Sequence, residues 1–290
     1  MSEDRNMLRV AAIQMCSTGN RDANLVRARS LMEEAVENGA ELLSLPENFA
    51  FIGREGDQVQ VAEDIEDGPG VRCLRDFAAK HHVAIVGGSV ALKTADASKV
   101  SNACLVFDSE GELVARYDKM HLFDVNVDEE HSFQESSYVV AGKNVVTASL
   151  FGHVAGLSIC YDLRFPELYR AHVLAGAEML FVPSAFTVPT GTVHWEVLLR
   201  ARAIENQCYV IAPAQFGRHN ARRASFGQTM IVDPWGEVLE RCPDRDMALV
   251  LDLDFARLKE IRDRLPSLEH ARQGRVEGAS VRTGLRPSKR

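Results

Sequence analysis

The chain has 290 residues, 46% of them hydrophobic and 26% charged, a composition that supports a packed core and excludes an intrinsically disordered protein. The formal net charge of -8 argues against a general nucleic-acid binder, which needs a basic field, so any anionic substrate must be held by local cations. The opening MSEDRNMLRV has no apolar run behind a basic one, and no stretch approaches the roughly 18 apolar residues of a membrane span, so neither a secretory signal nor a membrane partner is expected. The six cysteines (Cys16, Cys73, Cys104, Cys160, Cys208, Cys242) contain no CxxC pair and the nine histidines no HExxH. This pattern fits a reducing cytoplasm and gives no ground for a zinc site or other metal.

In chain order, residues 8–15 (LRVAAIQM) read as a buried strand. Residues 22–38 follow with apolar positions at Leu25, Ala28, Leu31, Met32, Ala35 and Val36, a helical stripe that ends at Gly39. A second strand over 42–45 is stopped by Pro46. The second half repeats the unit. VAGLSIC (154–160) resembles VAAIQMC (10–16), 144 residues apart, and GAEMLFVP (176–183) resembles GAELLSLP (39–46), 137 apart, so the helix between them loses about two turns. VFDSEGELVAR (106–116) matches IVDPWGEVLER (231–241) at a spacing of 125, both reading as strand, turn, strand. The same spacing sets Leu74, Arg75 and Ala78 on Leu199, Arg200 and Ala203, and Val83 on Cys208. Matches in one order imply an internal duplication. The predicted fold is a four-layer α/β/β/α sandwich with pseudo-two-fold symmetry: one domain over 1–272 and an Arg-rich tail over 273–290.

Ligands of α/β sheets collect where strands end at their carboxyl side. Glu47 follows LLSLP, Lys119 follows ELVARYD, and Cys160 ends VAGLSIC. Each residue type has a bland use, as a solvated charge or a small buried hydrophobe. In combination they suit amide chemistry: Cys160 as nucleophile, Glu47 as general base, Lys119 as oxyanion partner beside the backbone N–H of Tyr161. The run Tyr161 to Glu167 turns from strand to helix with Pro166 in the first turn, a setting expected to lower the Cys160 pKa and favour its thiolate. Cys16, at the repeated position, is followed by STGN and serves as the internal contrast. Glu135 in FQES either holds Lys119 or orients substrate. Arg164 suits a substrate carboxylate, its alternative being an ion pair with Asp162 or Glu167. His121 or His194 as a papain-like partner of the cysteine is the weaker arrangement.

LPEN (45–48), DKMHLFD (118–124), FQES (133–136) and CYDLRFPE (160–167), in this order, resemble the nitrilase superfamily of carbon-nitrogen hydrolases over nearly the whole chain. The resemblance implies a Glu47, Lys119, Cys160 triad supported by Glu135, the αββα sandwich, a homodimer or higher homo-oligomer, and no cofactor or metal. Residues 183–210, in which Phe186 and Thr187 are expected to contact substrate beside Arg164, and residues 217–238 are similar to the Nit branch. For that branch the expected substrate is an amide of a 2-oxo dicarboxylic acid. FQES is also familiar from ω-amidases, which take 2-oxoglutaramate or 2-oxosuccinamate, whereas the basic run Arg218, His219, Arg222, Arg223 points to a larger, glutathione-derived amide. A nitrile substrate, or a non-catalytic binding protein on the same scaffold, are the remaining alternatives.

Overall fold

The computed structural model describes residues 6–126 and 132–271; the tail over 273–290 lies outside the described residues. The first half runs β1 (Met7–Gln14), α1 (Arg21–Glu37), β2 (Leu42–Ser44), α2 (Pro69–His81), β3 (Ala84–Val86), β4 (Val90–Lys93), β5 (Val100–Phe107), β6 (Leu113–Asp118) and a small hairpin of β7 (Asp124–Asn126) and β8 (Ser132–Gln134). The second runs β9 (Thr147–Leu150), β10 (His153–Leu157), α3 (Pro166–Leu174), β11 (Met179–Phe181), α4 (Val188–Asn206), β12 (Tyr209–Ala212), the hairpin β13 (Phe216–Arg218) and β14 (Ala224–Phe226), then β15 (Met230–Val232), β16 (Val238–Arg241) and β17 (Met247–Asp254), closing with α5 (Phe255–Arg264) and α6 (Ser267–His270). The predicted strands and helix near the N-terminus match β1, α1 and β2 to within a residue or two.

Local chemistry explains these bounds. Asn20 caps α1, its side chain accepting from the Ala23 N–H at 3.1 Å. Gly39, at φ +83°, turns the chain out of the helix. Pro166 opens α3, where its missing N–H costs nothing.

Two sheets face each other. One has the order β17-β1-β2-β3-β5-β4 with β6 on the other side of β5; the second has the order β16-β15-β12-β11-β10-β9. In each, three central strands are parallel (β1-β2-β3 and β10-β11-β12) and the flanking ones antiparallel. Side chains alternate along β1: Leu8, Val10 and Ala12 join the core between the sheets, while Ala11 and Ile13 pack under α1 and α2. On the far side Trp195, Leu199 and Ala203 of α4 and Leu168 and Tyr169 of α3 cover the second sheet. This is the α/β/β/α sandwich expected from the sequence.

The duplication holds in detail. α1 has 17 residues and α3 has 9, the shortening of about two turns read from the spacing. The hairpins β5/β6 and β15/β16 each carry a register shift, at Val106/Phe107 and Ile231/Val232, positions 125 apart. Gly111 and Gly236 take φ +80° and +91° at the equivalent turn. The helices before them end alike, with His82 and Gln207 in the left-handed region.

Candidate active site

Glu47, Lys119 and Cys160 lie just past the carboxyl ends of β2, β6 and β10, and the fold brings all three into one cavity of about 690 Å³. Glu47 is set by a tight approach. Gly88, at φ +60°, passes so close to the Pro46–Glu47 turn that a Cβ on it would lie 2.1 Å from the Pro46 carbonyl oxygen. The Glu47 carbonyl accepts from Gln215 Nε2 at 3.1 Å, and the Asn48 N–H donates to Ser89 Oγ at 2.9 Å.

The charged groups form one network. Lys119 Nζ donates to Glu47 Oε1 at 2.9 Å and to both Glu135 oxygens at 3.1 and 2.9 Å. Glu47 Oε2 accepts from the Ala185 N–H at 3.0 Å, and Glu135 Oε2 from the Phe123 N–H at 2.7 Å. Glu135 therefore holds Lys119, one of its two expected uses. Asn102, absent from the sequence reading, bridges the glutamates: its Nδ2 donates to Glu47 Oε1 at 3.0 Å and Glu135 Oε1 at 3.2 Å. Its Oδ1 is buried without a partner among the described residues, and the side chain lines the cavity. The pairing of Ala103 with Asp118 across β5 and β6 is what sets Asn102 beside Lys119.

Lys119 is 2% exposed and Glu47 2%, so their electrostatics run at low dielectric. Burial pushes Glu47 up, yet the charge and hydrogen bond of Lys119, with smaller contributions from Arg223 and the Cys160 thiol, together hold the carboxylate below its ordinary pKa. Burial pushes Lys119 down, but Glu135 and Glu47 together raise it well above the usual lysine value. At rest this is a carboxylate and ammonium pair.

The thiol departs from expectation. Burial, and then the charge of Glu47, push the Cys160 pKa up, against a smaller opposing pull from Lys119. The expected thiolate is corrected by this: α3 begins six residues later, at Pro166, and the intervening 3-10 turn (Cys160–Arg164) leaves the thiol buried beside a negative group. Cys160 itself sits at φ +49°, its N–H donating to the Pro183 carbonyl at 2.9 Å. Such a conformation in a non-glycine residue costs on the order of 1–3 kcal/mol and is kept only where the surroundings enforce it.

Asp162 does the enforcing. Wholly buried, it accepts from the Ile159 N–H at 2.8 Å, Tyr117 Oη at 2.7 Å and the His121 N–H at 3.0 Å, and its Oδ1 lies 2.7 Å from His121 Nδ1. It thereby ties the cysteine turn to the segment carrying Lys119. The Tyr161 N–H falls in the first turn of this short helix, where N–H groups have no partner within the turn. His121 is taken up by Asp162 and stacks on Phe165 at 3.7 Å; His194 lies 3.2 Å from an Arg164 nitrogen. Neither is a partner of Cys160. At the repeated position Cys16 has an ordinary backbone and donates its N–H to Asp246 at 3.0 Å.

Arg164 lines the cavity with its guanidinium over the rings of Tyr161 (5.7 Å) and Phe186 (5.3 Å). It forms no ion pair among the described residues, so the alternative of pairing with Asp162 or Glu167 is not what the structure has. Phe186, packed on Trp195 at 4.9 Å, and Thr187, the residue before α4, complete that wall. Of the basic run, Arg222 and Arg223 face the cavity. Arg218 is exposed and bonded to the Ala221 carbonyl, and His219 is buried against Ser17 and Ser225.

The carbon-nitrogen hydrolase family model matches residues 9–263. The deaminated glutathione amidase of Synechocystis sp. is 46% identical over 264 residues, 90% of this chain and 96% of that protein. Among solved structures, the C. elegans NitFhit protein superposes with a TM-score of 0.86 at 38% identity, over 93% of this chain and 66% of that one. Saccharomyces cerevisiae Nit3, a member of branch 10 of the nitrilase superfamily, does so at 0.81 and 29%, over 90% and 95%. The chain thus belongs to the carbon-nitrogen hydrolase family of the nitrilase superfamily, and it is a hydrolase acting on amide C–N bonds.

Proposed function

We propose that this protein is a cysteine-dependent amidase acting on an amide of a 2-oxo dicarboxylic acid, and that its substrate is deaminated glutathione, cleaved to 2-oxoglutarate and cysteinylglycine. The observation that carries the chemistry is the Lys119 ammonium bonded to both Glu47 and Glu135 beside the Cys160 thiol. Glu47 takes the thiol proton as sulfur adds to the amide carbonyl, and Lys119 and the Tyr161 N–H hold the oxyanion. The proton passes from Glu47 to the departing amine as the C–N bond breaks, leaving a thioester. Water then attacks with Glu47 again as base; collapse frees the acid and restores the thiol. Because the resting thiol is neutral, proton removal belongs to the step of attack.

For the substrate, Arg164 supports a carboxylate on the acyl side: a guanidinium over two aromatic rings, with no ion pair among the described residues, is the group such an anion needs. The activity named for the Synechocystis relative fits this reading. Exposed Val193 and Val197 on the outer face of α4 support association with a second copy, which light scattering of the pure protein checks.

The test is a substrate panel: deaminated glutathione, 2-oxoglutaramate, a simple nitrile and an N-carbamoyl amino acid, with products identified by mass. Deaminated glutathione is expected to have the highest kcat/KM. Preference for 2-oxoglutaramate would make the protein an ω-amidase, and turnover of the nitrile alone would overturn the amide reading. Glu47→Gln is expected to lower kcat by more than roughly a thousandfold with the fold intact; near-normal turnover would remove the base assignment.

A further inference from the structure

The cavity holds a second cationic wall that the steps above leave unused. Arg223 ends the turn of the β13/β14 hairpin and is pinned by its backbone: its N–H donates to Asn220 Oδ1 at 3.0 Å and its carbonyl accepts from the His219 N–H at 2.9 Å. Asn220 Nδ2 in turn donates to the Gly53 carbonyl at 2.9 Å, anchoring the hairpin to the loop opposite. The guanidinium of Arg223 is half-buried in the cavity wall and acts electrostatically on Glu47 and Tyr138. It has no ion-pair partner among the described residues. Arg222, exposed beside it, lines the same cavity and has its N–H on the same Asn220 oxygen at 2.9 Å. Glu55, the nearby carboxylate in this wall, accepts from the Gln134 N–H at 3.0 Å.

Arg164 keeps different company: Tyr161, Phe186 and His194. Of the other arginines lining the cavity, Arg54 lies 3.5 Å from Asp57, which leaves Arg164 and the Arg222/Arg223 pair as two guanidinium sites with separate neighbours, in a chain whose net charge is -8. Half-buried guanidinium groups that form no ion pair among the described residues favour an anionic ligand. We propose that Arg223, supported by Arg222, is a second carboxylate subsite, which receives the terminal carboxylate of the leaving amine. The substrate is then a dianion with one carboxylate on each side of the scissile amide, the acyl end on Arg164 and the amine end on Arg223. Cleavage of the C–N bond leaves the amine fragment held by Arg223 alone, while the acyl fragment stays on Cys160 as the thioester until water frees it. The proposal rests on the amidase reading above and extends it to the leaving group.

Steady-state kinetics of wild type, Arg223→Ala and Arg222→Ala/Arg223→Ala on three substrates separate the two. The substrates are deaminated glutathione, its C-terminal glycinamide analogue, which lacks the terminal negative charge, and 2-oxoglutaramate, which lacks the dipeptide. Arg223→Ala is expected to lower kcat/KM for the acid-ended substrate at least tenfold more than for the other two, through KM, with Arg223→Lys recovering part of the loss. Equal losses on all three would mean that Arg223 acts through Glu47 and would overturn the subsite, as would no loss at all, while leaving the amidase reading in place. Wild type that hydrolyses 2-oxoglutaramate but not the dipeptide amide would overturn the substrate reading and the subsite together.

Discussion

Cys160 holds a left-handed backbone, φ +49°, under a thiol that burial and Glu47 keep protonated. Function and strain therefore separate at one residue. Cys160→Ala and Cys160→Gly both lose the sulfur and are expected to abolish turnover, but glycine alone relaxes the backbone. Cys160→Gly should be the more stable by about 1 kcal/mol; equal denaturation midpoints would show that the turn is unstrained. That Glu47, Lys119 and Cys160 share one cavity was legible because each lies at the end of a β-rich run. Their protonation was not, since that depends on desolvation and on which charge lies nearest. Asn102 was hidden in the run SNACLVF, inside a strand rather than past a strand end; hairpin register alone makes it the bridge between Glu47 and Glu135.

At the scale of elements, two buried histidines make the packing pH-sensitive. His172 of α3 lies against β10, so near that a Cβ on Gly156 would come within 2.6 Å of its ring, and its Nε2–H donates to the Leu157 carbonyl at 2.9 Å. His219, next to the β13/β14 hairpin, bonds the Ser17 carbonyl at 2.7 Å. Burial lowers each from an ordinary value of 6.5 to about 4, aided at His219 by Arg223. Because the unfolded chain binds these protons more readily, stability is full above about pH 6.5 and falls as pH drops toward 4, by on the order of 3 kcal/mol per histidine. Urea midpoints should fall across that window, and less steeply in His172→Gln. Glu47 ionises below the ordinary carboxylate range, so acid loss of activity is expected to follow unfolding measured by circular dichroism. A midpoint independent of pH would contradict this.

For the whole molecule, the duplication makes two related sites and keeps one. The spacings that relate the halves set Cys16 against Cys160, Ser184 against Glu47 and Asp244 against Lys119. Ser184 is wholly buried and bonded to the Val182 carbonyl, so the second copy of the site has become packing. The repeat was readable because it preserves turn glycines and strand pattern. The pairing of β17 with β1 was not, since its register partners run from Met7↔Asp254 to Gln14↔Met247 and no local pattern links positions so distant. Deleting residues 247 onward should leave β1 an open edge and yield insoluble protein; a soluble, cooperatively melting product would show the pairing to be dispensable. The same strand imposes an order on biosynthesis. At ordinary translation rates β1 waits roughly 10–50 s for its neighbour to be made, so the first-made sheet is the last completed, and the nascent chain must keep that edge from other strands throughout.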